Sequence, residues 1–245
     1  MNQDLPMRID FLGRIRNTQL AASNYLQPLF EAITNSFDAI EDKGNFTHGV
    51  VRVNLHRRKQ REIETGDFSK EPIISFEIED NGIGFNNKNY ESFLTADSTL
   101  KHERGGKGVG RFIWLKAFKN IHIESVFEEN GHKWRRAFEF SHTPNGIEGH
   151  ETQQVAYGIS LLTRVLLEQF EEKYQEKCPR DASIIARRII EHFYEYFIFQ
   201  NIHEIHIIDL ASQENYDLNA IFSEEFKPNL VTKYFEIENE KFTIH

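Results

Sequence analysis

The 245-residue chain has little cysteine, few prolines and no long apolar run. Its single cysteine, Cys178, has no second cysteine with which to form an internal disulfide, which excludes a disulfide-stapled scaffold. The first residues lack the basic start and the apolar stretch of a signal peptide. No apolar stretch approaches the roughly 20 residues that span a bilayer, which argues against a membrane protein. These absences predict a cytoplasmic protein.

Basic residues are also in the minority. The chain has 29 Lys and Arg against 38 Asp and Glu, which gives a net charge of -9. This balance argues against a surface built mainly to bind nucleic acid or an anionic membrane, so neither is indicated as a partner. The 39% of hydrophobic residues suffice for one large domain, with or without a small appendage.

Hydrophobic periodicity predicts a helix and then a hairpin in the first third of the chain. Apolar residues recur at three-to-four spacing over 26–40, and Gly44 follows as a stop signal. Apolar and polar residues alternate over 51–55 and again over 74–78, on either side of a polar, turn-rich stretch. We interpret the basic residues of this stretch as part of a solvated loop: Arg57, Arg58, Lys59 and Arg61.

The rest of the chain predicts a short helix, three strands and a longer helix. RFIWLKAF is typical of the short helix, and IHIESVF, WRRAFEF and VAYGISLL are typical of the strands. The longer helix runs from Asp181, as its N-cap, to Phe197, and strand character resumes over 205–210. The final FEIENEKFTIH predicts a β-hairpin. We divide the chain into a main domain, 1–200, and a C-terminal extension, 201–245.

Three polar side chains form a stripe on the first predicted helix. Glu31, Asn35 and Asp38 stand at i, i+4 and i+7, away from the apolar face. A solvated helix face is the simpler interpretation. However, asparagine has weak helix propensity and no capping use at this place, which indicates another role.

The second candidate site follows the strand 74–78. Its inward-facing phase continues to Asp80, so a carboxylate is expected to face the core. A buried carboxylate needs hydrogen-bond donors, and the amino group of a ligand such as adenine is one of them. The alternative is an Asp-Asn-Gly turn that only closes the strand.

The third candidate is the glycine-rich segment 104–111, RGGKGVGR, which leads directly into the short helix. Backbone amides next to a helix N-terminus make a site for anions. The segment does not match a P-loop, because no Gly-Lys-Ser/Thr ends it, and its glycine spacing differs from that of a Rossmann fingerprint. Six basic residues concentrate positive charge around this segment, and only Glu103 opposes them: Lys101, Arg104, Lys107, Arg111, Lys116 and Lys119.

In this order, EAITNSFDAI, DNGIGF and GGKGVGRF resemble the nucleotide-binding boxes of the GHKL superfamily, which includes DNA gyrase, Hsp90 chaperones, histidine kinases and MutL. The resemblance covers about residues 20–165. It implies the Bergerat fold, an α/β sandwich in which a mixed β-sheet carries helices on one face and the nucleotide lies between them. In style the boxes are closest to those of bacterial Hsp90-like ATP-binding proteins, some of which act in phage defence.

The same resemblance implies roles for individual residues. Glu31 would be the general base and Asn35 the Mg²⁺ ligand, while Asp38 would line the phosphate side. Asp80 would accept the adenine amino group, beside a backbone opened by Gly82 and Gly84. The glycine-rich segment would hold the phosphates of ATP through Gly105, Gly106, Lys107, Gly108, Val109 and Gly110. Residues 93–104 would form a lid, with Ser98 and Lys101 as contacts.

Two features depart from the family pattern. Relatives place a Gly-Thr pair on a later strand to help bind adenine, and the nearest match here is Gly158-Ile159-Ser160. Ser160 is therefore the candidate, although it falls on the opposite strand face from a threonine at 159. Gyrase-like relatives also take a catalytic lysine or arginine from a transducer domain, and residues 201–245 would be only the start of one.

The leading functional hypothesis is a Mg-ATP hydrolase whose ATP or ADP state drives lid closure or homodimerisation of a larger protein with an unknown protein partner. The first alternative is a non-catalytic, ATP-gated interaction module. The second is a histidine-kinase catalytic domain, which is less favoured because only 25 residues precede the first helical apolar position, Leu26.

Overall fold

A computed structural model describes residues 10–44, 48–58, 71–95, 110–199, 203–230, 233–237 and 240–244. Within these residues, eight strands form one sheet in the order β5-β4-β3-β6-β2-β1-β7-β8. The strands β1 and β7 pair in parallel, and the other neighbours pair antiparallel. Their bounds are β1 Val50–Arg57, β2 Ile73–Asp80, β3 Phe118–Glu129, β4 His132–Ser141, β5 Ile147–Gln154, β6 Leu162–Phe170, β7 Glu204–Asp209 and β8 Glu214–Asp217. The predicted mixed sheet is confirmed.

The helices of the described residues begin with α1, before the first predicted one. Their bounds are α1 Phe11–Asn17, α2 Gln27–Asp42, α3 Asn87–Leu94, α4 Gly110–Ala117, α5 Glu172–Gln175, α6 Ala182–His192, α7 Tyr194–Ile198 and α8 Leu218–Ile221. Short 3-10 or π-helical turns lie at Ala22–Asn24, Phe222–Phe226 and Lys227–Asn229. None of the described helices is long and apolar enough to cross a membrane.

The helix α2 packs on the sheet through the apolar stripe that the sequence predicted. Ile33, Phe37 and Ile40 are buried, and the helix ends just before Gly44, whose φ of 64° suits a glycine. The indole nitrogen of Trp114 in α4 donates to the Pro28 carbonyl at 3.0 Å. The two helices that carry the candidate boxes are therefore fixed to each other.

The faces of the sheet differ in character, as β6 illustrates. Thr163, Val165 and Leu167 are buried toward the helices, whereas Arg164 faces the other way and pairs with Glu79 at 2.7 Å. That second face is partly exposed and carries further ion pairs. Helices thus cover one face of the sheet, which confirms the predicted α/β sandwich.

Arg57 corrects one interpretation from the sequence. The hairpin of β1 and β2 is confirmed, but Arg57 ends β1 and its side chain is 1% exposed instead of lying in a solvated loop. Its guanidinium pairs with the fully buried Asp209 of β7 at 2.6 Å and also donates to the Arg180 carbonyl at 2.6 Å. A buried charge requires such partners, and Asp209 lies 152 positions away in sequence. Lys59 and Arg61 lie outside the described residues.

The position predicted for the strand at VAYGISLL is wrong. Residues 155–161 form a loop, and the strand β6 begins only at Leu162. The sequence also missed β5, because this edge strand is exposed along nearly its whole length and so has no buried apolar phase. The strands at IHIESVF and WRRAFEF are confirmed as parts of β3 and β4.

The predicted helix from Asp181 to Phe197 is divided in two. Its N-cap is confirmed, since the Asp181 carboxylate accepts the Ser183 amide at 2.8 Å. The helical backbone is interrupted at Phe193, between α6 and α7, where the Phe193 ring packs edge-on against Phe37 of α2.

The sheet continues beyond residue 200, because β7 and β8 extend it next to β1. The predicted C-terminal hairpin is confirmed as a separate antiparallel pair, β9 Lys233–Ile237 and β10 Glu240–Ile244.

Candidate functional site

A pocket lies between the covered face of the sheet and the helices α2, α3 and α4. The α2 residues Glu31, Asn35 and Asp38 line it together, as the stripe predicted. The other elements contribute Asp80 at the end of β2, Gly84 and Phe85 after it, Asn89, Ser92 and Phe93 in α3, Gly110, Arg111 and Trp114 in α4, and Thr163 and Val165 in β6. Segments that are distant in sequence therefore meet at one site.

Asp80 is one of the buried polar residues that line the pocket. It is 4% exposed, as its inward phase predicted. Its two oxygens accept hydrogen bonds from the Gly82 amide at 2.9 Å and from the Ser36 hydroxyl at 3.1 Å. These bonds fix the orientation of the carboxylate, and a carboxylate has about four positions for accepting hydrogen bonds. Because Asp80 also lines the pocket, its carboxylate is within reach of a ligand there.

The neighbouring Asn81 closes the turn. Its side-chain oxygen accepts the Val50 amide at 2.9 Å, and its side-chain amide donates to the His48 carbonyl at 3.0 Å. Lys43, just after α2, donates to the Asn81 carbonyl at 2.6 Å. The alternative interpretation of Asp-Asn-Gly as a structural turn therefore applies to Asn81 and in part to Asp80, which accepts the Gly82 amide. Asp80 also lines the pocket.

The two glycines of this turn lie in different environments. A Cβ on Gly82 would lie 2.6 Å from the carbonyl carbon of Ala39, so the missing side chain permits close packing of the turn against α2. Gly82 is not among the pocket-lining residues, and its place beside a ligand stays a prediction. Gly84 does line the pocket, with a φ of 78°, and a Cβ there would lie 2.6 Å from the Ser125 hydroxyl oxygen.

Glu31 lies against the start of α4. A Cβ on Gly110 would overlap the Glu31 carboxylate, so only glycine leaves room for this arrangement. Burial raises the pKa of Glu31 above its usual value, and the hydrogen bond from the Gln27 amide at 3.4 Å opposes this change. A carboxylate with a raised pKa is a stronger base, which suits it to accept a proton in a pocket.

Asn35 and Asp38 provide further oxygen atoms on the same side of the pocket. The Asn35 side chain forms no hydrogen bond with other residues in the described part of the chain. Carboxylate and amide oxygens are the ligands that Mg²⁺ prefers, and Mg²⁺ needs few of them from a protein when phosphates supply the rest. The residues present therefore fit a magnesium ion bound together with a phosphate group.

Thr163 is a pocket residue that the sequence analysis missed. It lies directly opposite Asp80 in the pairing of β2 with β6 and is 4% exposed. Ser160, the predicted candidate, is exposed in the preceding loop and does not line the pocket. The signal was the alternation Thr163, Val165, Leu167, which places the threonine in the buried phase once the strand is correctly placed.

The predicted phosphate loop precedes α4, and the structure describes only its last glycine, Gly110. Ser98, Lys101, Gly105, Gly106, Lys107, Gly108 and Val109 lie outside the described residues and stay predictions. The residues that flank this segment contact each other. The Arg111 guanidinium donates to the Thr95 carbonyl at 2.8 Å, which holds the end of α3 beside the start of α4.

The fold and the site define a mixed α/β domain with a helix-covered pocket on one face of its sheet. No family model matches the chain, and no curated protein matches it. Among solved structures, it is similar to the 43K ATPase domain of Thermus thermophilus gyrase B in complex with an aminocoumarin, with 18% identity and a TM-score of 0.45. The match covers 80% of this chain and 46% of the gyrase chain, so it spans less than half of that protein's length.

Proposed function

We propose that this domain binds Mg-ATP and hydrolyses it as an ATPase of the GHKL type. The observation that carries the proposal is the convergence on one pocket of three segments that resemble the GHKL boxes. Glu31 and Asn35 come from the first, Asp80 and Gly84 from the second, and Gly110 from the third. These segments are separate in sequence, and a chance resemblance would not require them to meet.

The end of the pocket at Asp80 and Thr163, here called the inner end, suits an adenine ring. Asp80 presents a carboxylate that can accept the 6-amino group, and Thr163 presents a hydroxyl beside it. Val165, Phe93 and Trp114 add apolar surface to the lining. A few placed polar groups within an apolar lining are typical of sites for small organic ligands.

The other end of the pocket, at Glu31, Asn35 and Gly110, suits phosphates and a metal ion. Gly110 begins α4, and the N-terminus of a helix attracts anions through its unpaired amides. Asn35 would hold Mg²⁺, with Asp38 on the same side, and the ion would neutralise charge on the phosphate oxygens. Glu31 would accept a proton from the attacking water. The predicted amides of 105–109 would complete the phosphate contacts.

Asp80→Asn tests the adenine end. The amide cannot offer two acceptor oxygens, so ATP and ADP should each bind about tenfold more weakly, the effect of losing one charge-assisted hydrogen bond. GTP should be affected less, because guanine has no 6-amino group. Isothermal titration calorimetry measures all three affinities. Glu79→Gln is the matched control, since the Glu79 side chain pairs with Arg164 outside the pocket. Unchanged ATP affinity in Asp80→Asn would remove Asp80 from the site.

Asn35→Ala tests the metal end. If the Asn35 amide oxygen binds Mg²⁺, the variant should bind ATP about tenfold more weakly in magnesium and should lose hydrolysis. ATP affinity measured in EDTA should change much less, so each protein serves as its own control. An equal loss of affinity with and without magnesium would instead assign Asn35 to direct contact with the nucleotide.

Coupling of the nucleotide state to lid closure or homodimerisation is part of the proposal. Light scattering of the full-length protein with and without a non-hydrolysable ATP analogue tests the homodimer, and an unchanged mass would reject it. A closer relation to bacterial Hsp90-like proteins, a role in phage defence and a cytoplasmic location stay predictions from the sequence.

A further inference from the structure

Three polar residues form a row across the helix-facing side of the sheet. Thr163 of β6 lies opposite Asp80 of β2 on one side and opposite Ser125 of β3 on the other. All three are buried, with exposures of 4%, 4% and 0%. Ser125 does not line the pocket, but its hydroxyl oxygen lies 3.0 Å from that of Thr163. Ser125 therefore lies behind the pocket, in contact with the lining residues Thr163 and Phe85.

The other hydrogen bonds of Ser125 indicate which hydroxyl of this pair is the donor. The Phe85 amide can only donate, and it donates to the Ser125 hydroxyl oxygen at 3.0 Å. Ser125 has one proton, and within the described residues Thr163 is the acceptor that it reaches. If Thr163 donated instead, the Ser125 proton would be fully buried without an acceptor, which is unfavourable. The favoured order runs from the Phe85 amide to Ser125 and then to Thr163.

The consequence falls on the Thr163 proton. With its oxygen accepting from Ser125, Thr163 keeps its own proton for the pocket, which it lines beside Asp80. The inner end of the pocket then presents one acceptor, the Asp80 carboxylate, next to one donor, the Thr163 hydroxyl. Adenine offers the complementary pair, a 6-amino donor next to the N1 acceptor. Guanine offers the reverse, an acceptor at O6 and a donor at N1.

We propose that Ser125 is a positioning residue that sets Thr163 as a hydrogen-bond donor and thereby makes the pocket selective for the N1 acceptor of adenine. The inference rests on the proposed function, which it deepens by naming what determines the choice of base. It also accounts for Gly84, because a side chain there would collide with the Ser125 hydroxyl and separate it from Thr163.

The test compares ATP with 1-deaza-ATP, in which a C–H group replaces N1 while the 6-amino group stays. The wild-type protein should bind ATP about fivefold more tightly than 1-deaza-ATP, the effect of one neutral hydrogen bond. Thr163→Val, which keeps the shape but removes the hydroxyl, should bring this ratio of the two affinities to about one. Ser125→Ala should lower it to about twofold, because the Thr163 hydroxyl is no longer held in one direction.

A merely structural role of Ser125 gives a different result. Losing the bond from the Phe85 amide would weaken ATP and 1-deaza-ATP equally and leave their ratio at the wild-type value. Ser36→Ala is the matched control, because it removes the other buried hydroxyl of the site and acts through Asp80. It should weaken both ligands without changing the ratio. If Ser125→Ala does not fold, Ser125→Cys keeps the size but donates weakly, and its ratio should also fall below that of the wild type.

The outcomes separate this inference from the proposed function. A wild-type protein that binds neither compound would reject nucleotide binding itself. A wild-type protein that binds ATP but shows no preference over 1-deaza-ATP, or whose ratio survives Ser125→Ala or Ser125→Cys, would overturn the role of Ser125 alone. In the double variant of Ser125→Ala and Thr163→Val, the ratio should equal that of Thr163→Val, since Ser125 acts through Thr163.

Discussion

Glu31→Gln is expected to lower the rate of ATP hydrolysis by about 10²-fold or more while ATP affinity stays within a few-fold. A general base must reach the attacking water but need not contact the nucleotide, and glutamine keeps the size of glutamate while it cannot accept the proton. Glu41→Gln is the matched control, because Glu41 is exposed on the same helix and does not line the pocket. Steady-state phosphate release and calorimetry measure the two quantities separately.

The pH dependence adds a second readout for Glu31. Burial raises its pKa, so the basic form should be lost, and hydrolysis should decline, at a higher pH than for an exposed glutamate as the solution is acidified. The same raised pKa means that Glu31 favours the folded state at low pH and that this contribution is lost as the pH rises through the folded-state pKa. Glu31→Gln should therefore be no less stable at neutral pH, and lost hydrolysis could not be attributed to unfolding.

If Glu31→Gln hydrolysed ATP at the wild-type rate, Glu31 would not be the general base. That result would favour an ATP-gated interaction module, in which binding alone signals to a partner. Transfer of the γ-phosphate to a protein histidine, followed with radioactive ATP, would instead favour the histidine-kinase alternative. Both results would leave nucleotide binding at Asp80 intact, since that end of the pocket is tested by affinity and not by turnover.

Local periodicity predicted the parts of the site that depend on one element. The stripe of Glu31, Asn35 and Asp38 follows from helical geometry, and the burial of Asp80 follows from the phase of β2. Each of these inferences needs only the residues of a single helix or strand. The helical period of α2 and the strand period of β2 were assigned correctly, and these side chains do line one pocket in the structure.

The errors arose where the answer depends on another element. Thr163 was missed because two neighbouring apolar clusters, at 155–162 and 162–167, both suit a strand, and only pairing with β2 and β3 selects the second. The close approach of α2 to Gly82 was also missed, because the sequence does not reveal which element packs against the turn. Arg57 looked like part of a solvated loop because its partner, Asp209, belongs to a strand much later in the chain.

Gly110→Ala should lower the rate of ATP hydrolysis by about 10²-fold without removing any functional group. The new methyl group would occupy the place of the Glu31 carboxylate, and a displacement of about 1 Å at a catalytic group can cost that much. The backbone amide of residue 110 is kept, so ATP affinity should stay within a few-fold. Stability should change little, because the methyl group meets the end of a flexible side chain and alanine favours the first turn of a helix.

A matched glycine and a double variant make this prediction specific to Glu31. Gly158→Ala should leave hydrolysis, affinity and thermal unfolding unchanged, because a Cβ at Gly158 meets no described atom within 4 Å. In a Glu31→Ala background, Gly110→Ala should cause no further loss of hydrolysis, since the group that it displaces is already absent. Full hydrolysis by Gly110→Ala alone would show that the carboxylate works from another position. An additional loss in the double variant would show that Gly110 acts on the phosphates independently of Glu31.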